Sequence, residues 1–74
     1  MYTLIAEHCI AFEGHHCISK GTALHVAEAV KQHIDTHPDA SILIFDAETS
    51  RIVEMDVRGT TSEVRERIAE RLQH

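Results

Sequence analysis

Hydrophobic and polar positions follow a period of two in some stretches of this chain and a helical period in others. The run Ile42 to Phe45 is rich in β-branched and aromatic residues and predicts a strand. Asp46 to Ser50 collects turn formers and small residues. Arg51 to Arg58 then alternates, with Val53, Met55 and Val57 on one side and Glu54, Asp56 and Arg58 on the other, as a half-buried strand does. Upstream, Thr3 to Phe12 predicts a first strand anchored by Leu4, Ile5, Ile10 and Phe12. Glu13-Gly14 marks its turn, and His15 to Ser19 is the returning strand. Two registers are open to this hairpin. A loop of Glu13-Gly14 pairs Phe12 with His15, whereas a loop that also takes in His15 pairs Phe12 with His16. The second brings Phe12, Ile18, Ile10 and Leu4 to one face, and burial favours it.

Thr22 to about Thr36 predicts a first helix, because Ala23, Val26, Ala27, Val30 and Ile34 fall along one stripe. Thr22 is placed to cap it after Gly21, and Pro38 ends it. Thr60 to about Leu72 predicts a second helix with the stripe Val64, Ile68 and Leu72. Thr60 and Glu63 fit a capping box at its start.

The two halves match at a constant offset of 38 residues, with Gly21-Thr22, Val26, Val30 and Ile34 answered by Gly59-Thr60, Val64, Ile68 and Leu72. Lys20 and Arg58 precede the two glycines, and each helix follows a hairpin. The pattern therefore predicts an α+β domain spanning residues 1–74. Its fold is a ββαββα two-layer sandwich built by internal ββα duplication, repeat one at about 3–37 and repeat two at about 41–73. A four-stranded antiparallel sheet carries both helices on one face.

That arrangement leaves one sheet face uncovered. If Leu43, Phe45, Val53, Met55 and Val57 point at the helices, then Ile42, Ile44 and Ile52 point away, beside Ile5, Cys9 and Ala11. Clustered isoleucines on a bare sheet mark a contact surface. A domain of this size buries only about 60% of its extended surface, so a partner or a second copy would add stability. The expectation is a homo-oligomer, or a complex with another protein, formed through Ile42, Ile44 and Ile52.

Charge narrows the partners. Seven Lys and Arg against twelve Asp and Glu give a net charge of −5, and the basic residues are interleaved with acidic ones rather than gathered on a face. With three Phe and Tyr residues in all and no Trp, stacking platforms are missing too. Nucleic acid is therefore excluded as an expected partner. No stretch approaches the roughly 20 apolar residues of a membrane span. The first residues lack a basic, then apolar, signal-peptide pattern. Two cysteines are too few for a disulfide framework. These features together predict a cytoplasmic protein.

The segment from Phe45 to Gly59, F-D-A-E-T-S-R-I-V-E-M-D-V-R-G, resembles an uncharacterised bacterial family, domain of unknown function 2239. That family reads F-D-x-x-T-G-R-x-x-D-x-D-x-R-G there, with F-x-G-x-x-x-I-x-x-G upstream, as in Phe12 to Gly21 here. The resemblance runs from about residue 10 to 72 and is to the family's N-terminal part. Ser50 stands where the family has the glycine of the turn, which implies a strained left-handed residue. The resemblance implies a fold and no activity.

Candidate chemistry is thin. His8, His15, His16, His25, His33 and His37, with Cys9 and Cys17, crowd the first half. His15, His16 and Cys17 are the candidate metal ligands. However, neighbouring strand residues face opposite ways, so each face offers two ligands where zinc needs three or four. Neither cysteine has a glycine-rich turn feeding a helix beside it, as a nucleophile would need. Lys20-Gly21-Thr22 and Arg58-Gly59-Thr60 could hold an anion at a helix start, but neither has a P-loop cradle, and capping accounts for both. No catalytic set and no cofactor motif emerges. The sequence therefore predicts a non-enzymatic interaction or assembly module, with metal binding as the alternative and a small thiol or hydrolytic enzyme third.

Overall fold

The computed structural model describes residues 7–72, with the Leu72 side chain left out. Its elements are β1 (His8–Glu13), β2 (His16–Thr22), α1 (Ala23–Thr36), β3 (Ile42–Asp46) and α2 (Thr61–Leu72). The fold is α+β, with two helices and an antiparallel three-stranded sheet in the order β2-β1-β3. Leu4 and Ile5, two anchors of the expected first strand, lie outside the described residues.

Both helices start where the sequence places them. Thr22 Oγ1 accepts the His25 N–H at 3.2 Å and caps α1. At α2 the capping box closes in both directions, Thr60 N–H to Glu63 Oε1 at 3.0 Å and Glu63 N–H to Thr60 Oγ1 at 3.2 Å. Helix α1 ends with the His37 N–H donated to the His33 carbonyl, just ahead of Pro38.

The first hairpin takes neither expected register. Phe12 pairs with Cys17 and Glu13 with His16 around the two-residue loop Gly14-His15, where Gly14 has φ +61°. A positive φ at the first loop residue is the pattern of a II′ turn, which favours glycine there. One step further on, the register shifts between Ala11 and Phe12, because Ser19 and Cys17 face them and Ile18 is the extra residue of a bulge. The bulge restores the even pairing, so Ile10 faces Lys20 and Cys9 faces Gly21.

The second correction concerns which face is the core. Cys9 and Ala11 are fully buried and Ile44 nearly so, in one cluster with Ala23, Val26, Ala27 and Val30 of α1 and Val64 and Ile68 of α2. Ile42, Val53, Met55 and Val57 pack around it. Ile42 and Ile44 therefore turn toward the helices, opposite to the expectation, while Ile52 is exposed as expected. The helix-facing side of β1 is the one with small residues. Cys9 and Ala11 meet the alanine-bearing stripe of α1, and short side chains on both surfaces let a helix approach a sheet closely.

The expected fourth strand is also corrected. After β3, only the bridge Phe45↔Ile52 is paired, with the Asp46 N–H donated to the Arg51 carbonyl and the Val53 N–H to the Ile44 carbonyl. Residues 54–58 run on unpaired to α2. The second half thus does not repeat the paired hairpin of the first.

Candidate interaction face

Pairing in the sheet fixes what lies on the side away from the helices. One rung crosses from Lys20 to Ile10, Phe45 and Ile52; the next crosses from Cys17 to Phe12 and Leu43. Ile10, Phe12, Leu43, Phe45 and Ile52 form an apolar group with no described element over it. Leu43 is 51% exposed and Ile52 63% exposed. Phe12 and Phe45 meet edge to face, with ring centroids 6.0 Å apart and planes at 69°, a favourable geometry that holds the middle of the face rigid.

The turn beside this face is fastened by Asp46. Its Oδ1 accepts the Glu48 N–H at 2.7 Å and the Thr49 N–H at 3.2 Å. These bonds, the one from Glu48 first, hold its carboxyl below the ordinary carboxylate range. Thr49 Oγ1 accepts the Arg51 N–H, and Ser50 sits at φ +63°. The left-handed residue expected from Ser50 in the glycine position is therefore present.

The metal candidates do not converge. His15 lies in the turn, His16 pairs with Glu13 toward the helix side, and Cys17 pairs with Phe12 on the open side. Among the described residues, no group of three His, Cys, Asp or Glu side chains is placed to hold an ion. Cys9 is buried, and that burial pushes its thiol up from the ordinary value, which keeps it protonated.

Two polar arrangements escaped the sequence reading. His33 Nε2 bonds Glu13 Oε1 at 3.1 Å, tying α1 to the end of β1, while the His33 and His37 rings stack at 4.5 Å and 15°. His37 Nδ1 lies within hydrogen-bond distance of Thr36 Oγ1 and of the His33 carbonyl, so this pair is engaged at the end of α1. Only the i, i+4 spacing hinted at it. Lys31 is buried on α1 and donates to both carboxylate oxygens of Asp35, at 2.9 and 2.8 Å. The same i, i+4 spacing was its only signal.

These features define a small α+β domain with an apolar group on one face of its sheet. The chain belongs to the family of uncharacterised bacterial proteins called domain of unknown function 2239, whose profile matches residues 8–74. No curated protein and no solved structure matches it. No helix among the described residues is long and apolar enough to cross a membrane.

Proposed function

We propose that this chain is a non-enzymatic protein-interaction module that docks through the open face of its sheet. The observation that carries this reading is the apolar group Ile10, Phe12, Leu43, Phe45 and Ile52 on a face that no described element covers. Contiguous apolar surface of this kind marks contact sites. Of the residues expected from the sequence, Ile52 stays in the docking set, while Ile42 and Ile44 leave it for the core. The matched helix starts, a basic residue, a glycine and a capping threonine at Lys20-Gly21-Thr22 and Arg58-Gly59-Thr60, support descent from two copies of one unit. A cysteine count of two, too few for a disulfide framework, supports a reducing compartment such as the cytoplasm.

A photo-reactive residue in place of Leu43 on the open face, or of Glu66 on α2, tests this in the native cell. Adducts to protein from position 43 and none from position 66 are expected. Equal labelling from both positions, or none from position 43, would overturn the reading.

A further inference from the structure

We infer that the occupant of the open face is a second copy of this chain, related by a two-fold axis that runs in the face along the Phe12–Phe45 pair. The inference rests on the docking reading above and names its partner. The Val53 N–H bonds the Ile44 carbonyl, and Val53 and Met55 pack to the core, so Glu54 between them falls on the open side, at the Leu43 end of the patch. Lys20 and Glu54 then occupy opposite corners of the patch, across four chain segments. Both are exposed, and neither has an ion-pair partner among the described residues.

In a two-fold interface the same patch serves both copies, so it must complement itself. Strands about 4.8 Å apart with about 3.4 Å per residue fix the relative positions on the face. On a flat face with that spacing, rotation about the Phe12–Phe45 diagonal brings Lys20 opposite Glu54 of the second copy, twice over, and Leu43 opposite Ile10. The two phenylalanines lie on the axis, at the centre of the contact, where aromatic anchors carry most of the binding energy. The corner pairs sit at the rim, where charges set register and partner choice more than affinity.

The sheet edges are poor alternatives. The outer edge of β2 is bulged at Ile18 and carries Lys20, and the outer edge of β3 is already occupied at Ile52. A face roughly 15–20 Å on a side belongs to the small end of specific interfaces. The dimer is therefore expected to dissociate in the micromolar range.

Sedimentation of the full chain from about 1 to 200 µM tests this range of affinity, with circular dichroism confirming that each variant is folded. The wild type is expected to pass from monomer to dimer. K20E and E54K, each alone, should weaken the dimer about tenfold or more, and the K20E/E54K pair should return it to within about threefold of wild type. A monomer throughout, or a dimer indifferent to both single reversals, would overturn the proposal. The position-43 adduct separates this failure from that of the docking reading. An adduct of twice the chain mass supports the second copy. Adducts to other chains alone reject it and keep the docking face, and no adduct rejects both.

Discussion

Arg67 Nη1 of α2 lies 2.8 Å from the carbonyl oxygen of Asp56 and also donates to that of Arg58 at 3.0 Å. It stands 3.4 Å from the Asp56 carboxylate as well. One turn on, Arg71 Nη1 bonds the Glu54 carbonyl at 2.6 Å. Two guanidinium groups therefore satisfy three carbonyls of the segment after β3, those of Glu54, Asp56 and Arg58, in place of a neighbouring strand. Those same arginines fasten α2, which has the core residues Val64 and Ile68 but no extensive contact with the sheet.

Arg67→Ala should therefore loosen α2 more than a half-exposed arginine suggests. Loss of charge-assisted bonds to two carbonyls is expected to cost about 1–2 kcal/mol, after discounting for solvent. Urea denaturation followed by circular dichroism reads this directly. A change under about 0.5 kcal/mol would show that the clasp is decorative.

Ser50 is the one residue other than glycine at positive φ among the described residues. Ser50→Gly should relieve left-handed strain of about 1–2 kcal/mol, while glycine's greater chain entropy returns part of it. A net gain of about 0.5–1 kcal/mol is expected, which raises the melting temperature of so small a domain by several degrees. An unchanged or lower melting temperature would count against it.

Gly59, at φ +94°, has a second constraint. A methyl group there would sit 2.9 Å from Glu63 Oε1, the oxygen that caps the Thr60 N–H. Gly59→Ala must displace the cap as well as accept the strain, for an expected loss of about 2 kcal/mol. Gly14→Ala, at φ +61° with open space around it, should cost only the strain. Thermal unfolding of the two variants side by side should rank Gly59→Ala as the worse.

Acid stability follows from three carboxylates. The Arg58 side chain, then its N–H, lowers Asp56 from 3.8 to about 2. The Thr60 N–H holds Glu63 down, and the Glu48 N–H holds Asp46 down. A carboxyl whose folded value is depressed contributes stability that is complete above its unfolded value and lost as pH falls through the folded one. The urea midpoint should therefore decline from about pH 4.5 toward pH 2. Asp56→Asn should flatten the lower part of that decline, between 3.8 and about 2. An equally steep decline in the variant would remove Asp56 from the account.

The helix ends are legible in the sequence because their physics is local, whereas the turn of the first hairpin is not. Thr22, Thr60 with Glu63, and Pro38 each act through bonds or sterics a few residues away, while the left-handed Ser50 follows from the resemblance to the family, which has glycine there. The face assignment failed where locality ended. Both parities of β1 and β3 are apolar, Ile10 and Phe12 against Cys9 and Ala11, Leu43 and Phe45 against Ile42 and Ile44, so alternation could not name the inside. Volume argued for the aromatics. The burial of Cys9 and Ala11 with α1 went the other way, and the docking set changed from Ile42 and Ile44 to Ile10, Phe12, Leu43 and Phe45 with only Ile52 kept.

By itself, then, the sequence determined the α+β class and where each helix begins, since a helix start depends on near neighbours. Tertiary structure alone decided which side of the sheet is inside, where Cys9, Ala11 and Ile44 join Ala23, Val26, Ala27 and Val30 of α1 in one buried cluster. Tertiary contacts also hold the segment after Val53, where Arg67 and Arg71 reach its carbonyls from a helix that comes later in the chain.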